Sequence, residues 1–175
     1  TSREVSADEK RQLINVDALT PYIDIPGNRA LCESYRAKRN LDGSLELEYD
    51  YDTDKDPQAE DFLLFTSEAE TAGTIRLAKE SFSDRVMAYK LGTRFVSGRK
   101  LEDDPSLFTL GEDNFSAIVK DDGKVVGNMV VTRKGKTVYS LLLFGVYFDD
   151  RELLEELFHP VLGNGQPINA DDLKW

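Results

Sequence analysis

Asp50, Asp52, Asp54 and Asp56 place a carboxylate at every second position, the spacing with which oxygen ligands open a calcium-binding loop. Such a loop also needs a glycine at its sharp turn and a bidentate glutamate at its end, because calcium collects oxygens from a chain bent tightly around it. Lys55 stands at the glycine position and Asp61 at the glutamate position. A solvated acidic strand face that runs into a loop accounts for the same aspartates more simply, and such charges also keep a sheet edge from pairing.

The other residue types that carry chemistry are sparse. His159 is the only histidine and Cys32 the only cysteine, so a nucleophile–base pair of the thiol type would have to join these two. Each also has a structural reading. A histidine near a helix C-terminus meets the carbonyl end of the dipole, and a lone cysteine is commonly a buried thiol. One cysteine makes no intrachain disulfide and no cysteine cluster for zinc or iron–sulfur. Gly163-Asn164-Gly165 follows a helical pattern where a phosphate loop would precede one, and it lacks the lysine and hydroxyl of that motif. No other nucleophile, metalloprotease or redox motif occurs, and no cofactor is expected. Two basic clusters stand out on an acidic chain, Arg94, Arg99 and Lys100, and the turn Arg133-Lys134-Gly135-Lys136. They are the candidate docking residues for an acidic partner.

Composition narrows the partner classes. The 175 residues carry 33 acidic and 22 Lys or Arg side chains, a net charge of −11, which opposes the counterion displacement on which nucleic-acid affinity rests. Nucleic acid is therefore set aside as a partner. Hydrophobic residues make up 40%, enough for one core, and the expectation is a single domain over 1–175 with irregular ends at 1–28 and 163–175. No apolar run approaches the roughly 20 residues of a membrane helix. The chain opens at Thr1 without an initiator Met or apolar leader, read as a trimmed start with room for a signal and lipid anchor upstream.

The elements that would position any site follow from periodicity and punctuation. Ser6-Ala7-Asp8-Glu9 forms a capping-box pattern that predicts a helix to about Leu19. Leu31–Arg39 and Ser44–Thr53 read as a hairpin around Asp42-Gly43. Its second strand alternates Leu45, Leu47, Tyr49 and Tyr51 with Glu46, Glu48, Asp50 and Asp52, one core face and one wet face. Phe62–Phe65 suits a short buried strand. Ser67 and Glu70 resemble a second capping box opening a long helix closed by Gly92, its apolar stripe Ala72, Ile75, Ala78, Phe82, Val86 and Tyr89. Thr93–Asp113 holds a short strand among loops, placed at Leu107–Leu110. Asn114–Lys120, Lys124–Thr132 and Thr137–Phe148 then form an antiparallel meander. It leads into a helix capped by Asp149 or Asp150, with Leu153, Leu154, Leu157, Phe158 and Val161 as its stripe and Pro160 and Gly163 ending it. Strands that pair with sequence neighbours predict an α+β fold, an antiparallel sheet flanked by helices.

This order of hairpin, central helix, and meander leading into Asp150-Arg151-Glu152-Leu153-Leu154-Glu155-Glu156-Leu157 resembles the PsbP-like superfamily, which includes bacterial envelope lipoproteins of the DcrB kind. The resemblance covers about 31–162. It implies an α/β/α sandwich around an antiparallel sheet, a binding or assembly role, and a periplasmic or envelope location. The lipobox cysteine of that branch is not in this sequence, and a cytoplasmic location is the alternative. No functional residue carries over, since no motif matches position by position.

The leading expectation is thus a non-enzymatic binding or accessory domain with an unknown protein partner. The alternatives are a small-molecule carrier or carboxylate-based enzyme working in a cleft beside the sheet, and a calcium-binding domain.

Overall fold

Alternation of apolar and charged residues along the first half of the chain builds a sheet with one dry and one charged face. In the computed structural model, which describes residues 2–94 and 98–163, β2 (Glu33–Arg39) and β3 (Leu45–Asp52) form the expected hairpin. At its turn the Asp42 Oδ1 accepts the Ser44 N–H at 2.9 Å, and Gly43 supplies φ +85°, which a side chain would resist. Leu47, Tyr49 and Tyr51 are buried while the intervening acids are not. The predicted strand start at Leu31 is instead one helical turn, α2 (Arg29–Cys32), capped by Asn28.

The chief departure from expectation is β4 (Leu64–Thr71). Ser67 and Glu70 do not cap a helix. They sit in a strand that pairs along its whole length with β3 on one side and with β8 (Thr137–Phe144) on the other. Tertiary pairing overrides the capping pattern, because Phe65, Ser67 and Ala69 alternate inward with small residues that hide the two-residue period. Ser67 Oγ is spent on the Ile14 N–H at 3.1 Å. The helix, α3 (Ile75–Arg94), starts after Gly73, and Thr74 Oγ1 caps it by accepting the Leu77 N–H at 3.1 Å. Ala72 precedes the helix, and Ile75 is exposed. The inward face is carried by Ala78, Phe82, Val86 and Tyr89.

The meander is present as β6 (Asp113–Asp121), β7 (Lys124–Lys134) and β8, but its last strand ends at Phe144 and not at Phe148, because Gly145 at φ +94° turns the chain out of the ladder. The Thr93–Asp113 segment contributes β5 (Arg99–Asp103) and a 3-10 turn (Pro105–Leu107), so the strand lies ahead of the apolar cluster and Phe108 serves as a core residue. With β1 (Ser2–Arg3), the sheet is fully antiparallel in the order β1-β2-β3-β4-β8-β7-β6-β5. An α+β fold is thereby established.

One sheet face carries Leu47, Tyr49, Tyr51, Phe65, Val130, Leu141 and Leu143. It is covered by the N-terminal segment and the C-terminal helices in one continuous core. The predicted first helix is cut to α1 (Ala7–Lys10) with both capping-box bonds present, followed by a 3-10 turn, Val16–Leu19. The last helix is likewise split at Leu157-Phe158, one residue ahead of the turn that holds Pro160, into α4 (Arg151–Glu156), capped by Asp150, and α5 (His159–Leu162). Its buried stripe is Leu154, Leu157, Phe158 and Leu162, with Leu153 turned out. The opposite sheet face has a smaller core of Val119, Met129 and Phe144 beneath α3. The predicted irregular tail lies outside the described residues beyond Gly163.

Two positions in β7 lock the sheet to its surroundings. Asn128, 1% exposed, donates to the Phe148 carbonyl at 2.9 Å and accepts from its N–H at 2.7 Å, acting as a substitute backbone for the chain leaving β8. Gly127 lies so close to β8 that a Cβ would overlap the Leu143 carbonyl oxygen. Gly127→Ala is expected to destabilise the fold by roughly 3 kcal/mol, lowering the urea midpoint without changing the slope. Gly73→Ala, with open space around its Cβ, should stay within about 0.5 kcal/mol of the parent in the same titration.

Candidate functional site

Three loops and one strand end meet where β8 leaves the sheet. The β3–β4 loop brings Gln58, Glu60 and Phe62, and the β6–β7 turn brings Asp121, Asp122, Lys124 and Val126. The β8 exit adds Phe144, Val146 and Tyr147, and β5 adds Arg99. Together they enclose a cleft of about 620 Å³, within the size range of small-molecule sites.

Local sequence explains each wall. The β6–β7 hairpin turns on Asp122 and Gly123, both at positive φ, as a tight two-residue turn demands. The ladder shifts register between Val119 and Lys120, a bulge that leaves Val126 outside the regular pairing, and its carbonyl accepts the Gly145 N–H at 2.9 Å. Gly145 has φ +94°, and a Cβ there would overlap the Phe62 carbonyl. Only glycine lets the two loops approach this closely. Asn128 then fixes the following residues through Phe148.

The cleft is lined by the apolar side chains of Phe62, Val126, Phe144 and Val146 together with the charged Glu60, Arg99, Asp121, Asp122 and Lys124. The Arg99 guanidinium lies over the Phe144 ring, 4.8 Å from the centroid. A cation–π contact of this kind holds the guanidinium near the ring without consuming its N–H donors. No ion pair to Arg99 occurs among the described residues. Burial, helped by Asp149, Asp104 and Glu102, pushes the Tyr147 phenol above its usual range, so it remains a neutral donor at physiological pH.

A second concentration of polar groups lies where α3 leaves the sheet bare. On the wet face of β3 and β4, Glu46 is directly opposite Glu70 and Glu48 is opposite Glu68, pairings that destabilise a sheet unless cations intervene. Arg85 from α3, 15% exposed, intervenes: it binds Glu68, reaches Glu70 at 2.7 Å and Glu46 at 3.4 Å. These groups line a shallow cleft of about 480 Å³ between α3 and the sheet. Farther along, Arg36 pairs with Glu48, and Asp50 accepts from the Thr66 hydroxyl at 2.9 Å. Burial, together with the adjacent Asp50, pushes the Glu48 carboxyl up to about 7, and the Arg36 guanidinium offsets this only in part. The two effects on Glu48 oppose one another, and burial governs because Arg36 is largely in water.

The residues singled out from sequence are scattered. Asp50 and Asp52 share the wet face of β3. Asp52 caps the Asp54 N–H at 2.8 Å, and Asp56 caps the Gln58 N–H at 2.9 Å, so the run is used up in strand and turn. Among the described residues no group of three or more His, Cys, Asp or Glu side chains is placed to hold a metal ion. Arg133 is not a surface residue: it is 3% exposed, bound to Asp113 at 2.6 Å, Glu112 at 3.3 Å and the Gly135 carbonyl at 2.8 Å. Lys134 donates to the Leu162 carbonyl at 2.9 Å, leaving Lys136 as the exposed cation of that turn. Arg99 lines the end cleft, Lys100 sits beside it on the outer strand, and Arg94 closes α3. Cys32 packs near Tyr51 and Gly27 at one end of the sheet, while α5, with His159, is tied to Lys134 at the other. The two are not brought together.

Sequence reasoning missed Arg85, Tyr147 and the apolar lining of the end cleft. The signal was present for Arg85, an arginine on the inward face of an amphipathic helix, but its partners come from two strands. No family model matches this chain, and no match to it is found among curated proteins or solved structures. No described helix is long and apolar enough to cross a membrane.

An acid whose folded pKa lies above its unfolded value stabilises fully below the unfolded value and loses that contribution as pH rises through the folded one. For Glu48 the window runs from its ordinary 4.5 up to about 7. Glu48→Gln should therefore raise Tm at pH 8 by roughly 2–4 °C, about 1 kcal/mol after allowance for solvent screening, and should have little effect at pH 4.5. Parallel thermal scans of both proteins across this range check it.

Proposed function

We propose that this chain is a non-enzymatic binding domain that holds a small amphipathic molecule in the end cleft. Its apolar body would lie against Phe62, Val126, Phe144 and Val146, and a carboxylate or similar acidic head would meet Arg99 and Tyr147. The observation that carries this reading is the Arg99 guanidinium over the Phe144 ring, without an ion pair among the described residues, in a cleft that also presents Phe62, Val126 and Val146. A guanidinium so held keeps its planar fork of donors available to an incoming acid. Asp121, Asp122 and Glu60 in the lining disfavour ligands of high negative charge, so one acidic group on an apolar body suits the site better than a polyphosphate.

A binding or accessory role agrees with what the resemblance to the PsbP-like superfamily implies, and the α+β sheet is compatible with it. In the same reading the domain works in the bacterial envelope, where an upstream lipid anchor would tether it.

Titration with octanoate and with anilinonaphthalene sulfonate, followed by amide chemical shifts, tests the proposal. Shifts should centre on Phe62, Val126, Gly145 and Tyr147. Arg99→Gln should weaken octanoate binding about tenfold, the worth of one charge-assisted hydrogen-bonded contact. Shifts confined to other surfaces, or equal affinity in the variant, would overturn the reading.

A further inference from the structure

β5 forms one outer edge of the sheet and carries no strand on its far side; at the opposite edge β1 pairs only with Ala37 and Lys38 of β2. In an antiparallel ladder, residues whose N–H and C=O face the neighbour alternate with residues whose groups face away. The Gly98 carbonyl accepts the Asp122 N–H at 2.8 Å, and the Asp104 N–H donates to the Ser116 carbonyl at 2.9 Å. Even-numbered residues of β5 therefore face β6. Arg99, Leu101 and Asp103 turn their backbone groups outward.

The side chains on this edge have an order of their own. The strand reads Arg99-Lys100-Leu101-Glu102-Asp103, two cations, an apolar centre and two anions. Edge strands are normally guarded by charges that repel an incoming strand. This arrangement does the reverse for one specific visitor. Laid antiparallel against itself with Leu101 opposite Leu101, the strand sets Arg99 against Asp103 and Lys100 against Glu102 on both sides of the centre. The same register places the outward-facing residues opposite one another, Leu101 with Leu101 and Arg99 with Asp103, so every free N–H and C=O of the edge finds its complement. Any shift by one residue loses both matches.

Lys100 supplies a further reason. Its cross-strand neighbour is Lys120, a like charge, and Lys120 is already engaged by Glu102 at 2.6 Å. Lys100 has no ion pair among the described residues. A Glu102 from a second copy would stand directly opposite it.

We infer that two copies of this chain associate through β5, antiparallel about a two-fold axis at Leu101, joining their sheets into one. The interface is isologous, as a two-fold demands, and its bonding is that of strand addition to an open edge. A five-residue contact is small, so the dimer is weak, monomeric near roughly 1 μM and populated toward roughly 1 mM.

Sedimentation of the full chain across that concentration range should show a monomer–dimer equilibrium. Lys100→Glu alone and Glu102→Lys alone should each weaken association at least tenfold, because each sets like charges opposite one another twice. An equimolar mixture of the two variants should recover dimers, since the heterodimer restores both pairs. Leu101→Pro should also abolish the dimer, for it removes an outward N–H that the β6 ladder does not use. Lys100 does not line the end cleft, so octanoate binding should survive Lys100→Glu, which separates this inference from the ligand proposal. A wild-type chain monomeric at roughly 1 mM, charge variants that associate like the parent, or a mixture no tighter than its components would each overturn it.

Discussion

The pairing of β4 with β8 is the contact on which the rest of the molecule depends. Each half of the sheet is a run of strands joined to their chain neighbours, β1 to β4 on one side and β5 to β8 on the other. Only the ladder from Leu64–Phe144 to Thr71–Thr137 joins them. Once β8 is the partner of β4, the chain leaving β4 must cross to the far edge to begin β5, and α3 is that crossing. Its route fixes what it covers. α3 packs over β5 to β8 and leaves the acidic face of β2 to β4 without a covering helix, so its half-buried glutamates depend on arginines, Arg85 for Glu46, Glu68 and Glu70 and Arg36 for Glu48.

The end cleft follows from the same constraint. β4 and β8 are neighbours, so the loop entering β4 and the segment leaving β8 emerge side by side, and Phe62 meets Gly145. The β6–β7 turn closes the third side because its bulge releases the Val126 carbonyl toward Gly145. None of these loops is distinctive alone. Their juxtaposition gathers apolar side chains around one cation held over the Phe144 ring.

Much of the fold was legible in the chain and the site was not, for different physical reasons. Alternation in β3, paired glycine turns and the Asp150 cap are local signals, and the structure honours them. β4 misleads because Ser67-x-x-Glu70 satisfies a helix-start pattern, while the hydrogen bonds that decide the matter come from β3 and β8, distant in sequence. Arg133 misleads in the opposite sense: adjacent to a glycine turn it resembles a surface cation, yet Asp113 and Glu112 enclose it. The cleft combines residues from 57 to 147, and no periodicity reports on such an assembly.

The strand order also bears on how the chain acquires its shape. Within each half, every strand of substantial length pairs with the one beside it in sequence except at the seam, so hairpins in 33–71 and the meander in 99–144 involve short loop closures that form quickly. The seam between β4 and β8 closes a far longer loop and carries the larger entropic penalty. Two preformed half-sheets, docking late along a single ladder with α3 folding down across the join, is the sequence of events this topology favours. On a ribosome the first half would wait, its β4 edge open, until β8 emerged.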